Sequence, residues 1–114
     1  MDPKELSDAE VVRELRELLG GKLVAYMGNV RDTATIRRWA TDGAERPPSE
    51  VMPGLRLALD LTHLLLHWEH PEVIQAWFIG MNPYLDDVAA ATLIRDHGDE
   101  HASRIRAAAR SFLG

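Results

Sequence analysis

Hydrophobic residues recur at intervals of three and four along almost the whole chain, and glycine and proline fall between the hydrophobic segments. This is the periodicity of amphipathic helices, and strands are not needed to explain it. We therefore predict an all-α fold. The predicted helices cover roughly residues 7–20, 22–27, 32–41, 49–69, 70–80, 83–96 and 99–113.

Capping residues mark several of the predicted helix ends. Ser7 and Glu10 have the spacing of a capping box, in which each side chain accepts a hydrogen bond from the backbone of the other residue. We expect Ser49 to cap the longest helix. We also expect the acidic residues Asp99 and Glu100 to lie in the first turn of the last helix, where the helix dipole favours them.

Length and charge limit the class of protein. With 114 residues and 46% hydrophobic content, the chain is too short for two independent cores. A helix-turn-helix region at 1–48 and a helical bundle at 49–114 would therefore share one core. The net charge is −5, and when the chain is divided into residues 1–19, 20–48 and 49–114, only the middle segment is net positive, with five basic and three acidic residues. This negative net charge argues against a protein that coats nucleic acid nonspecifically.

Several features point to a cytoplasmic, soluble protein without a membrane partner. The chain has no cysteine, which fits a reducing compartment. Its N-terminus, MDPKELSDAE, is charged and lacks the hydrophobic region of a signal peptide. No apolar run approaches the roughly 18 residues that a membrane span needs.

Three histidines form the clearest metal-like pattern. His63, His67 and His70 are spaced by four and three residues, so two or three imidazoles could reach one zinc ion. The simpler interpretation is the solvated polar stripe of a central helix, which also carries Arg56 and Asp60. The opposite side of this helix would be filled by Leu57, Ala58, Leu61, Leu64, Leu65 and Trp68.

No catalytic constellation accompanies these histidines. The acidic residues of the C-terminal half lie at predicted helix ends, where capping accounts for them: Asp86, Asp87, Asp96, Asp99 and Glu100. The sequence shows no nucleophile with an evident base, no phosphate loop and no cofactor fingerprint. We expect a protein that is not an enzyme and has neither a metal site nor a cofactor.

The basic segment has the spacing of a helix-turn-helix, with Gly28-Asn29 supplying the turn. Helical phasing places Ile36 and Trp39 on the inner face. The residues predicted to face DNA are Thr33, Ala34, Arg37, Arg38 and Thr41. An ordinary helical hairpin with a solvated basic face remains the alternative.

Two stretches resemble a known family. LGGKLVAYMGNVRDTATIRRWATDGAERP looks like the N-terminal helix-turn-helix of the Xre/MbcA/ParS-type antitoxins, whose second helix ends in a Trp followed by Gly and Pro. AWFIGMNPYLDDVAAATLIRDHG, followed by RIRAAARSFLG, resembles their C-terminal toxin-binding domain in its Trp-Phe, Asn-Pro and Ala-Ala-x-x-Phe elements. Met81 and Ala90-Ala91 depart from the family pattern, which has Pro near both positions.

The resemblance implies an antitoxin of a type II toxin-antitoxin system, which binds a RES-domain toxin that degrades NAD and often represses its own operon. Its partners would be the toxin and operator DNA. The protein would form a homodimer or a hetero-oligomer with the toxin. The residues expected to bind the toxin are Asn82, Tyr84, Asp86, Arg106, Arg110, Leu113 and Gly114. A stand-alone helix-turn-helix regulator is the alternative.

The stretch AWFIGMNPYLDD at 76–87 is expected to be a corner that shapes the binding face, with Trp77 and Phe78 mainly in the core. On the last helix, one apolar face should dock onto the bundle, formed by Ile105, Ala108, Ala109 and Phe112. The chain end would then project towards the toxin's NAD site, as the resemblance implies. A frayed helix end is the simpler alternative.

Overall fold

The structure, a computed structural model, describes residues 6–114, and within this range the all-α prediction is confirmed. Seven α-helices and no strand are present among these residues. They are α1 (Asp8–Leu19), α2 (Gly21–Met27), α3 (Thr33–Trp39), α4 (Met52–Leu66), α5 (Pro71–Ile79), α6 (Ala90–His97) and α7 (Ala102–Leu113), with a 3-10 turn at Pro83–Leu85.

The helix α4 lies at the centre because its sequence is apolar on nearly every side. It contacts α1, α2, α5, α6 and α7. Its fully buried side chains include Leu55, Leu59, Leu61 and Leu65. Burying a leucine side chain contributes roughly 1.5–3 kcal/mol, so these contacts on several sides make α4 the main organising element.

One continuous core spans both predicted segments. The helices α1 and α2, from the N-terminal segment, contact α4, and α1 and α2 also contact α5 and α6 respectively. The predicted segment 1–48 begins outside the described residues. The Cα radius of gyration is 13.0 Å, close to the value expected for one compact domain of this length.

Side chains cap the starts of two helices in the N-terminal part of the described chain. The Ser7 hydroxyl accepts from the Glu10 N–H, and the Glu10 carboxylate accepts from the Ser7 N–H, so the capping box is confirmed. Asp32 caps α3 by accepting from the Thr35 N–H at 2.8 Å. Asn29 takes the left-handed conformation, with φ 58°, after α2.

Three helices begin later than the sequence predicted. Ser49 is not the cap of α4, because residues 48–51 form a turn and the helix begins at Met52. The helix α6 begins at Ala90, because Asp86 and Asp87 adopt left-handed φ angles of 57° and 64° that interrupt any helix from residue 83. The last helix begins at Ala102, so its first turn carries no acidic residue.

The aromatic residues divide between core and surface. Trp39 and Trp77 are buried, as predicted. Trp68 was expected in the core but is 68% exposed, because α4 ends at Leu66 and the helical phase is lost before it. Phe112 is 45% exposed and contributes less to docking α7 than its helical face suggested, while Ile105 is fully buried.

No helix in the described part of the chain is both long and apolar enough to cross a membrane.

Candidate functional site

The corner between α5 and α6 is built around Asn82. Its side-chain oxygen accepts from the Tyr84 N–H at 3.0 Å, and its backbone oxygen accepts from the N–H groups of Leu85 and Asp87, both at 2.9 Å. Asn82 is buried, so its amide acts within the corner. Its neighbour Pro83 begins the 3-10 turn. Asn82, one of the residues predicted to bind the toxin, is therefore buried beneath the surface and fixes the backbone of the corner.

An apolar groove of about 370 Å³ lies beside this corner, between α5, the 3-10 turn and α7. Its walls combine two segments that are distant along the chain, residues 73–84 and 108–112, and are formed by Val73, Ala76, Trp77, Gly80, Met81, Asn82, Pro83, Tyr84, Ala108 and Phe112. We call these residues the corner groove. Met81 and Tyr84 are 79% and 64% exposed at its rim. Clustered exposed apolar side chains of this kind are typical of surfaces that bind a partner.

The stretch at 76–87 therefore contributes side chains both to the core and to the exposed surface. Phe78 and Leu85 are fully buried, and the rings of Trp77 and Phe78 pack edge to face with centroids 5.1 Å apart. Met81 and Tyr84 instead face solvent. The sequence analysis identified the corner, but only the folded arrangement brings Ala108 and Phe112 of α7 against it.

The basic residues of α7 differ in how they are held. Arg106 donates to Asp60 of α4 at 2.7 Å in a partly buried ion pair. Arg104 donates to Asp86 at 3.1 Å. Two of the predicted toxin-binding residues, Arg106 and Asp86, thus make contacts within the protein. Arg110 is exposed, in the last turn of α7.

Leu113 and Gly114, the last two residues predicted to bind the toxin, directly follow the groove residue Phe112. Leu113 is partly buried and packs against the core, whereas Gly114 is exposed with φ 95°. Leu113 therefore helps to fix the last turn of α7, which carries the groove residue Phe112.

The five residues predicted to face DNA differ in exposure and in hydrogen bonding, and Thr41 lies beyond the end of α3. Arg37 and Thr33 are exposed, and Ala34 is half-buried. Thr41 is exposed, but its hydroxyl donates to the Arg37 carbonyl. Arg38 is held on two sides, because it donates to Glu45 at 3.1 Å and to the Thr35 hydroxyl at 3.0 Å.

Acidic groups surround this face of α3. Glu45 pairs with Arg38, and Asp42 pairs with Arg13 at 3.3 Å. The Thr35 N–H, together with the Thr35 hydroxyl, holds the pKa of Asp32 below its ordinary value. The ionised carboxylates of Asp32 and Glu45 near Arg38 weaken the attraction of this face for phosphate.

The three histidines that could have reached one zinc ion, His63, His67 and His70, make separate contacts. His63 pairs with Glu14 of α1, His67 packs its ring against Trp68, and His70 precedes α5. The polar stripe of α4 therefore contacts α1, where Arg56 also pairs with Asp8 at 2.8 Å. Among residues 6–114, a group close enough to hold a metal ion is formed instead by His97, Glu100 and His101. The sequence analysis missed this group, although its spacing of three and one was a usable signal.

A second groove, of about 440 Å³, lies between α2, α5 and α6. The Tyr26 hydroxyl is 2.8 Å from Thr92 Oγ1, and the Arg95 guanidinium lies over the Tyr26 ring at 5.0 Å. Ile79 is 63% exposed at its edge. The contacts of Tyr26 with Thr92 and Arg95 join α2 to α6 beside this groove, whereas no such polar contact joins Met81 and Tyr84 at the rim of the corner groove to α7 among the described hydrogen bonds.

Comparison of the chain with protein family models, curated proteins and solved structures gave no match.

Proposed function

We propose that this protein is an antitoxin that neutralises a RES-domain toxin by direct binding and not by catalysis. The observation that carries the proposal is the corner groove. The sequence elements that resemble the antitoxin family, Trp77, Asn82-Pro83 and the Ala108 to Phe112 segment, all contribute to this one groove. Sequence elements far apart along the chain thus converge on a single exposed apolar surface.

The composition of the rim suits a protein partner. Met81 is flexible and adapts to an irregular surface, while Tyr84 offers an apolar ring and a hydroxyl. Both residue types are enriched in protein interfaces, and Tyr is also enriched among the residues that contribute most binding energy. The buried Asn82 corner holds the rim in place, so little ordering is needed when a partner binds.

The experiment is co-expression with the product of the adjacent gene, followed by co-purification and a measurement of NAD loss. We expect a stable complex in which NAD loss is suppressed. The variant Met81→Glu, which places a charge in the apolar rim, should weaken binding at least about tenfold. Trp68→Glu, which places the same charge at an exposed apolar side chain outside the groove, is the matched control. Absence of a complex would reject the proposal.

A second candidate is a stand-alone helix-turn-helix regulator that binds operator DNA. The observation favouring it is the exposed guanidinium of Arg37 on α3, which follows α2 after a short turn. Against it stand the carboxylates of Asp32, Asp42 and Glu45 around that face. Specific DNA binding by the protein without any toxin partner would favour this function instead.

A further inference from the structure

The turn between α6 and α7 brings three metal-ligating side chains together. His97 ends α6, and His101 directly precedes α7. Gly98 makes the turn possible with φ 62°, and the Glu100 N–H donates to the His97 carbonyl at 3.1 Å. As a result, the ligand atoms of His97, Glu100 and His101 all lie within 4.8 Å of one another.

The distances within this group are close to those of a metal site. His97 Nδ1 lies 3.3 Å from a carboxylate oxygen of Glu100, and the two imidazole centroids are 5.0 Å apart. Ligand atoms at about 2.1 Å from a tetrahedral zinc ion lie roughly 3.4 Å from each other. Small rotations of exposed side chains would therefore bring the third ligand atom to that spacing.

The backbone beneath the group is held in place. A Cβ atom added to Gly54 of α4 would lie 3.1 Å from the Gly98 Cα, so α4 and the turn are in close contact. The Gly98 N–H also donates to the Ile94 carbonyl at 2.8 Å. A fixed turn that carries exposed ligands favours ion binding, because the ion has access and the backbone does not need to be ordered.

We propose that His97, Glu100 and His101 bind a divalent transition-metal ion of the zinc type. Two imidazoles and one carboxylate match the preference of zinc, nickel or copper, whereas magnesium and calcium prefer oxygen ligands alone. The ion would join the end of α6 to the start of α7 and fix the angle between them. Because α7 carries Phe112 of the corner groove, the site would stabilise the helix that forms one wall of that surface.

The proposal goes beyond the antitoxin function and is tested without a partner. Untagged full-length protein is titrated with zinc chloride by calorimetry, and its melting temperature is measured with and without zinc. We expect one ion per chain and a higher melting temperature with zinc, since the ion binds the folded state. Magnesium chloride should produce neither effect. The absence of cysteine keeps thiol binding out of the measurement.

The variants His97→Ala and His101→Ala should each lower zinc affinity at least about tenfold and abolish the increase in melting temperature. His67→Ala, at an exposed histidine outside the group, should change neither. Folding of each variant is checked by circular dichroism in EDTA, and Glu100→Gln replaces any that does not fold. Absence of zinc binding, or equal binding by wild type and the His97 and His101 variants, would overturn the proposal.

Discussion

The indole N–H of Trp39 donates a 2.8 Å hydrogen bond to Glu45, whose other carboxylate oxygen accepts a 3.1 Å hydrogen bond from Arg38. One carboxylate therefore satisfies the only polar group of a buried tryptophan and also restrains an arginine on the face of α3. The Trp39 bond, with that from Arg38, holds the pKa of Glu45 below its ordinary value. Stability and the charge available on α3 are coupled through this residue.

Acid should weaken this network. Because the pKa of Glu45 is lower in the folded protein than in the unfolded chain, where it is about 4.3, the unfolded state binds more protons in this range. The contribution is complete above about pH 4.3 and is lost as the pH falls through the folded pKa. The variant Glu45→Gln should melt at a lower temperature near neutral pH and lose less of its stability on acidification.

Melting temperatures measured between about pH 3 and pH 7 check this prediction. Glu50→Gln, at an exposed glutamate in the turn before α4, is the control and should keep the wild-type pH profile. A Glu45→Gln profile parallel to that of the wild type would show that the carboxylate contributes no pH-dependent stability.

The two arginines of α3 should contribute unequally if the protein binds DNA. Arg37 is exposed, whereas Arg38 must leave Glu45 and Thr35 before it can reach a phosphate. We expect Arg37→Ala to weaken binding and to reduce the slope of log affinity against log salt by about 1, with a smaller effect for Arg38→Ala. Titrations of a labelled operator at several salt concentrations measure both. A larger loss for Arg38→Ala would contradict the order.

Local sequence chemistry predicted the helices well and some of their boundaries poorly. The capping box at Ser7 and Glu10 depends only on neighbouring residues, so the sequence could indicate it. The late start of α6 depends on Asp86 and Asp87 adopting left-handed conformations that few residues favour. The exposure of Trp68 follows from an early helix end, which the hydrophobic pattern did not mark.

The candidate sites were less predictable because they join distant segments. Helical phasing placed Arg38 on the outer face of α3, but it could not indicate that Glu45, seven residues on, would restrain it. Arg106 was likewise expected to bind the toxin, although it donates a hydrogen bond to Asp60 of α4 across the bundle. The corner groove required the packing of α7 against the 3-10 turn, which no local pattern specifies.

Both buried tryptophans should be essential for stability. Trp39 and Trp77 are 2% and 8% exposed, and truncating either to Ala leaves a large cavity. We expect each substitution to lower the free energy of unfolding by about 3–5 kcal/mol. Urea unfolding followed by circular dichroism measures the loss. A Trp77→Ala protein with wild-type stability but without toxin binding would instead place Trp77 among the interface residues.

The contact between Gly54 and Gly98 should not tolerate a methyl group. Alanine is favoured over glycine inside a helix by about 1 kcal/mol, but a Cβ at position 54 would lie 3.1 Å from both Gly98 Cα and Ile94 Cγ2. Overpacking costs about 1–3 kcal/mol, so we expect Gly54→Ala to be destabilising. Ala107→Gly, at an exposed position of α7, measures the propensity term alone. A stabilised Gly54→Ala protein would show that the turn can move away.

Residues 111–114 should contribute to toxin inhibition more than to folding. A chain that ends at Arg110 keeps the buried anchors of α7, Ile105, Ala108 and Ala109, but loses Phe112 from the corner groove. We expect it to fold, as judged by circular dichroism, and to inhibit NAD loss less than the full chain. Phe112→Ala tests the groove contribution by itself, and Arg110→Ala tests the exposed guanidinium, which is suited to bind a carboxylate such as one that holds a ribose.

Arg106→Ala is the matched control for Arg110→Ala, because Arg106 is already paired with Asp60. It should lower stability without a specific effect on inhibition, since the variant leaves a partly buried carboxylate without its partner. The informative measurement is inhibition at equal concentrations of folded protein. If the shortened chain folds, binds and inhibits as the full chain does, residues 111–114 take no part in blocking the toxin. The inhibitory contacts must then come from elsewhere on the helical bundle.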